Sequence, residues 1–153
     1  MTSKLAQASE AFVWIWLPES AAPVVAGRIT QDADRFTFNY GASYLERKDV
    51  IPIYAPELPL RRGIIEPEAG LSMASCIRDG SPDAWGRRVI INRLVGAKAS
   101  EAEASNITEI SYLLASGSDR IGALDFWNCC NIVAIILRPF RQKIGLPAWK
   151  RLI

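Results

Sequence analysis

Three segments in the first forty positions predict an antiparallel β meander: an apolar run rich in β-branched and aromatic residues, a second strand, and a segment in which polar and aromatic residues alternate. The predicted strands are Phe12–Leu17, Val24–Thr30 and Arg35–Tyr40. In the third strand Phe36, Phe38 and Tyr40 alternate with polar residues, so all three are expected on one face. Gly27 lies inside the second strand and indicates a β-bulge or a close approach of another backbone.

The middle of the chain is rich in proline and predicts little regular structure. A short helical turn is expected at Tyr44–Arg47. The segment Ile51–Leu60 contains three prolines, so its regular part must be short or lie at a sheet edge. Residues 64–78 are expected to form a loop with one short apolar element, Leu71–Ile77.

A helix is predicted over Pro82–Val95. Ser81 is the expected N-cap, Pro82 suits the first helical position, and Asp83 complements the helix dipole. Gly96 is the expected stop signal. The apolar arc is wide, which predicts packing on more than one side; it contains Trp85, Val89, Ile90, Ile91, Leu94 and Val95.

A second helix is predicted to begin near Asn106 and end at Gly117. Asn106 and Glu109 resemble a capping box. A turn follows, and Arg120–Phe126 has the pattern of a final strand. The expected fold class is therefore α+β, a small antiparallel sheet, flat or curved, packed with two or three helices.

Charge is distributed unevenly along the 153 residues, although the net charge is only +2. The last 26 residues carry five basic side chains and no acid. The first 127 residues keep 13 of the 18 basic and all 16 acidic side chains, a balance of −3. This balance argues against a nucleic-acid surface on the main body.

Cysteine and histidine usage excludes several kinds of site. There is no histidine, and the three cysteines, Cys76, Cys129 and Cys130, lack the spacing of a zinc site or a disulfide framework. Cys76 is expected to be a small buried side chain in a reducing compartment. A redox role for the adjacent Cys129 and Cys130 is the less favoured interpretation.

Two apolar stretches are candidates for export or membrane segments. Residues 11–17 have aromatic alternation and no clear positive lead, so they favour a strand over a signal peptide. Ile132–Leu137 is far shorter than the roughly 20 residues that span a bilayer. The chain is expected to be soluble and cytoplasmic, with no membrane partner.

Three segments in order resemble the N-terminal region of HipA-like toxins, which are serine/threonine kinases of bacterial type II toxin–antitoxin modules. The segments are Pro52–Arg61, Ser81–Arg88 and Asp119–Phe126. The resemblance spans roughly residues 12–127 and implies a small subdomain that precedes a kinase core. The predicted organisation is a loose N-terminus at 1–11, this subdomain at 12–127 and a divergent basic tail at 128–153.

The sequence departs from the family pattern after Trp127. Phosphoryl transfer needs a phosphate-binding loop, a lysine and metal-binding carboxylates. Residues 128–153 have no acid and no glycine-rich loop, and the abrupt change suggests a new reading frame or a replaced terminus. We therefore expect no enzyme activity, with no catalytic, cofactor-binding or metal-binding residues and no cofactor.

Several residues of the matched segments have a functional and a structural interpretation. Arg87, Arg88 and Arg93 suggest a subdomain interface or, somewhat more favoured, a solvated face. Trp85 is a candidate partner anchor, although a core position is favoured. Arg120 is expected to pair with Asp83 or Asp125 and brace the helix entry against the sheet, a structural role that is favoured over a catalytic one. Asp79 and Asp83 form no acid–base site without a histidine or nucleophile.

Three functional hypotheses follow. The first is a truncated HipA-like toxin that keeps the N-terminal subdomain and lacks kinase activity. The second is a separate antitoxin-like module that binds and restrains a HipA-like kinase, since some relatives carry this subdomain on its own chain. The third, weaker hypothesis is nucleic-acid binding through the basic tail. The expected partner is a protein, either a cognate antitoxin or a kinase core.

Overall fold

A five-stranded antiparallel sheet is the frame of the computed structural model, which describes residues 8–94, 96, 107–116 and 122–128. The strands lie in the order β4-β3-β2-β1-β5. Their bounds are β1 Glu10–Ile15, β2 Val24–Asp32, β3 Arg35–Tyr40, β4 Ile64–Ile65 and β5 Leu124–Trp127. Within the described residues, four helices accompany the sheet: α1 Ala42–Leu45, α2 Ser75–Arg78, α3 Ala84–Leu94 and α4 Glu109–Ala115. The predicted α+β fold class is confirmed.

The predicted strands are present, with differences at their ends. β3 has the predicted bounds. β1 lies two residues closer to the N-terminus than predicted, because Glu10 and Ala11 pair with Thr30 and Ile29. β4 was predicted as loop. Its two residues pair with the edge of β3, and so short a strand has no recognisable alternation.

Gly27 combines both features that the sequence indicated. The β1–β2 register shifts between Val13 and Trp14, where β2 contributes an extra residue opposite β1. A Cβ atom at Gly27 would overlap the Asn39 carbonyl oxygen and lie 2.6 Å from Cζ of Phe38. Only glycine therefore allows β2 and β3 to approach this closely.

One face of the sheet packs against the helices and forms the core. Helices α1, α2 and α4 contribute fully buried side chains to it. The largest fully buried ones are Tyr44, Phe38, Ile29, Leu58, Ile77, Ile110, Leu113 and Val13. In the proline-rich segment, an isolated bridge joins Tyr54 to Leu58, so its regular part is short as predicted. Within the described ranges, no helix has the length and apolarity needed to cross a bilayer.

Candidate functional site

Asp83, and not Ser81, caps the N-terminus of α3. Oδ1 of Asp83 accepts a hydrogen bond of 2.7 Å from the backbone N–H of Gly86, three residues on. The Ser81 hydroxyl instead lies 3.5 Å from Oε2 of Glu109 in α4. The predicted N-cap was wrong because Ser81 turns toward a neighbouring helix. The stop signal is confirmed, since α3 ends at Leu94 and Gly96 has a φ of 108°.

Arg87 joins α3 to α4. Its guanidinium donates to both carboxylate oxygens of Glu109, at 2.6 and 2.7 Å. It also lies over the ring of Tyr112, 4.7 Å from the ring centroid. The hydrogen bonds to Glu109 raise the pKa of Arg87 above its ordinary value. The solvated face predicted for Arg87 was therefore wrong, since this side chain is an interhelical brace.

The start of α4 is held by a different residue from the one predicted. Thr108 is the N-cap, and its Oγ1 accepts from the backbone N–H of Ser111 at 3.2 Å. The same hydroxyl donates to the carbonyl of Ala8 at 2.7 Å, which ties α4 to the segment before β1. Asn106 lies outside the described residues, and the capping box was wrong because Glu109 reaches out to Arg87.

The first and third segments that carry the family resemblance lie close to α2 and to Gly80, which follows α2. Glu57 of the first accepts hydrogen bonds from the backbone N–H of Ser75, at 2.5 Å, and from the Ser75 hydroxyl. Gly80 precedes the second segment, and a Cβ there would lie 2.8 Å from the ring of Phe126 in the third. The close contacts make one structural unit of parts that are far apart in sequence.

Two buried tyrosines hold the proline-rich segment against the core. The Tyr40 hydroxyl accepts from the N–H of Ile53 at 3.0 Å and donates to the carbonyl of Leu58 at 2.8 Å. The Tyr44 hydroxyl donates to the carbonyl of Ile51, also at 2.8 Å. Burial raises the pKa of Tyr40 from 10.0 to about 12. Tyr40 is thus a structural tyrosine that stays protonated under ordinary conditions.

Trp85 is the most exposed of the large hydrophobic side chains that the structure describes. It is 75% exposed, so the core position favoured from sequence was wrong. On this helix Ile90 is buried and Val89, Ile91 and Leu94 are half-buried, so the packing of α3 on more than one side stays a prediction. Ile90 packs with Ile107 and Tyr112 on the side that faces α4. Another side of α3 is open among the residues that the structure describes, and its side chains are exposed.

We call this open side of α3 the Trp85 surface, and it consists of Trp85, Arg88, Asn92 and Arg93. Each of the four is exposed. Among the described residues, no carboxylate forms an ion pair with Arg88 or Arg93. The solvated face predicted for these two arginines is therefore confirmed, although it lies beside an exposed indole.

The predicted brace from Arg120 lies outside the described residues. Its two expected partners are engaged elsewhere: Asp83 caps α3, and buried Asp125 accepts a 3.2 Å hydrogen bond from Nε1 of Trp16. This bond fastens the end of β1 to β5. Trp16 was the partner that the sequence did not indicate, because 109 residues separate it from Asp125.

Other candidate chemistry is structural or lies outside the described ranges. Cys76 is half-buried against the core, and burial, with Glu57 nearby, raises its thiol pKa to about 11. Residues 129–153, which contain Cys129, Cys130 and every basic side chain of the tail, are outside the described part. In the described part there is no group of three or more His, Cys, Asp or Glu residues that could hold a metal ion.

A comparison with protein-family models identifies a family that matches this chain. The model described as the HipA N-terminal domain matches residues 15–127, which is most of the chain and includes all three segments. A search of curated proteins found no match. The chain therefore belongs to the HipA N-terminal domain family and is related to the HipA toxin–antitoxin proteins.

Proposed function

We propose that this chain is the N-terminal accessory part of a HipA-like kinase, without a nucleotide or catalytic site of its own. It acts by docking on a kinase core through the Trp85 surface. The family supports the toxin–antitoxin context. The docking role is supported by the geometry of α3.

The observation that carries the proposal is the 75% exposure of Trp85. A large aromatic side chain held in water forgoes the stabilisation that its burial would provide, roughly 25 cal/mol for each Å². Tryptophan is enriched among the residues that dominate binding energy at protein interfaces. The exposed indole therefore has the properties of an anchor for a protein partner.

The other side of α3 is held rigidly, which suits a preformed docking surface. Arg87 binds Glu109 with two short hydrogen bonds, and Asp83 caps the first turn. A helix held by these contacts needs little further ordering when it binds, so less backbone conformational entropy is lost. These contacts are all made within the chain.

The Trp85 surface is formed by this chain alone, without a kinase core. This also supports the alternative, in which the chain is an antitoxin-like module that restrains a separate kinase. Both roles use the same docking contact. They differ in the effect on activity: the accessory role predicts that the bound chain supports phosphoryl transfer, and the antitoxin role predicts that it suppresses it.

Binding to a HipA-like kinase core whose own N-terminal domain has been removed tests the proposal. Calorimetry should detect binding of the purified chain, and Trp85→Ala should weaken it by roughly 30-fold, the loss typical of an interface hot spot. Tyr54→Ala is the matched control, because Tyr54 is a second exposed aromatic side chain at 45% exposure. Equal affinity of Trp85→Ala and the original chain would contradict the docking role.

Kinase activity in the same mixtures separates the accessory and antitoxin roles. The isolated chain, incubated with ATP and Mg²⁺, is expected to show neither ATP hydrolysis nor self-phosphorylation. Turnover by the chain alone would contradict the absence of a catalytic site.

A further inference from the structure

We infer that the Trp85 surface binds an acidic site on its partner protein, an apolar pocket for the indole edged by Asp or Glu carboxylates. This inference rests on the proposed docking function and adds the chemistry of the partner. It is carried by the charges that surround Trp85.

The four side chains of the surface project from one side of α3. Arg88 is three residues after Trp85, and Asn92 and Arg93 are seven and eight residues after it. Residues at these spacings lie along one side of an α-helix. The two guanidinium groups and the indole can therefore contact one partner surface together.

Arg88 and Arg93 differ from most arginines of the described part. Nine arginines lie there, and five pair with a carboxylate: Arg28, Arg35, Arg47, Arg62 and Arg87. Helix α3 contains no acidic residue to neutralise the two on the Trp85 surface. Arg93 lies in the last turn, where its charge complements the helix dipole, but Arg88 lies in the middle of the helix and has no such role.

A carboxylate-edged pocket is the chemistry that matches this arrangement. Guanidinium groups bind carboxylates through two parallel hydrogen bonds, and arginine and tryptophan are both enriched at the centres of protein interfaces. A nucleic acid would also attract two arginines. It is the less favoured partner, because residues 1–127 carry a net charge of −3, in which 16 acidic side chains oppose 13 basic ones.

Charge reversal at the two arginines tests the inference in the same kinase-core binding assay. Arg88→Glu/Arg93→Glu should bind at least roughly tenfold more weakly, because like charges would then face each other. Raising NaCl from 50 to 300 mM should weaken binding of the original chain and have little effect on this variant. Arg61→Glu/Arg62→Glu is the control, since it changes the net charge equally on a loop away from α3 and should bind normally.

The outcomes separate the inference from the function on which it rests. If Trp85→Ala binds normally, or the original chain does not bind, the docking function fails and the inference fails with it. If Trp85→Ala weakens binding but the double charge reversal does not, the docking function stands and the acidic pocket is wrong. A random 20-bp DNA duplex is the second probe: duplex binding that the double reversal abolishes, with kinase-core binding unchanged, would overturn the inference in favour of nucleic acid. Circular dichroism and thermal unfolding must first show that each variant is folded.

Discussion

The guanidinium of Arg87 forms two hydrogen bonds, of 2.6 and 2.7 Å, with the carboxylate of Glu109, 22 residues later in the chain. This pair joins the helix that carries Trp85 to the helix that packs on the sheet. Both side chains are about one-third exposed, so solvent screens their charges in part. The bidentate geometry still fixes the relative orientation of α3 and α4 more tightly than a single contact would.

Loss of this pair is expected to destabilise the fold. Arg87→Ala removes two charge-assisted hydrogen bonds and the contact with Tyr112, so the free energy of unfolding should fall by roughly 1–3 kcal/mol. Glu109→Gln should have a smaller effect, because an amide can still accept one of the bonds. Urea unfolding of both single variants and the double variant gives the coupling energy between the residues. A coupling energy near zero would contradict the brace.

Substitution at Trp85 is expected to leave stability nearly unchanged. Because its side chain is 75% exposed, Trp85→Ala should alter the free energy of unfolding by no more than about 0.5 kcal/mol. Trp14→Ala is the comparison, because Trp14 is 7% exposed and packs against Trp127. This substitution should lower the free energy of unfolding by roughly 3–5 kcal/mol. Equal destabilisation by the two substitutions, measured by thermal unfolding, would place Trp85 in the core.

A methyl group at either of two glycines is expected to damage the fold. Gly80→Ala would bring its Cβ to 2.8 Å from the Phe126 ring, and Gly27→Ala would overlap the Asn39 carbonyl. Overpacking of this kind costs roughly 1–3 kcal/mol, with the larger loss at Gly27, where backbone is in the way. Gly70→Ala is not a suitable control, because Gly70 has a φ of 88°. Gly41→Ala is the control, since its new Cβ would make only ordinary van der Waals contacts, the nearest at 3.8 Å. Differential scanning calorimetry should give Gly27→Ala the lowest midpoint temperature of unfolding, and the midpoint of Gly41→Ala should be nearest that of the original chain.

Stability is expected to fall in strong alkali. Burial raises the pKa of Tyr40 from 10.0 to about 12, and it raises the pKa of Tyr44 as well. A folded-state pKa above the unfolded one stabilises the native state fully below pH 10, and this stabilisation is lost as the pH rises from 10 to about 12. For Tyr40 the free energy of unfolding should fall by up to about 1.4 kcal/mol for each pH unit in this range. Denaturant unfolding between pH 9 and 11.5 measures it, and Tyr40→Phe should show a shallower slope from a lower starting stability.

Residues near each other in sequence determined the local elements. β-Branched and aromatic composition predicted β1, and alternation predicted β3, because the pleat sends successive side chains to opposite faces and the core face of β3 is apolar. Gly27 indicated its bulge, Gly96 indicated the end of α3, and three short segments indicated the family. Each of these signals is carried by a backbone preference or a pattern that spans a few positions.

Only the tertiary structure decided which side chains are braces and which are exposed. Ser81 and Asp83 are both good caps, and the position of Glu109 sends the Ser81 hydroxyl away from α3. Arg87 and Arg88 are adjacent and chemically identical, yet the 100° turn between them places one on Glu109 and the other in solvent. Trp85 is apolar and was therefore expected in the core, but burial depends on whether another element covers that side of the helix. The sequence of a helix sets which residues share a side, whereas contacts with distant segments decide which side is covered.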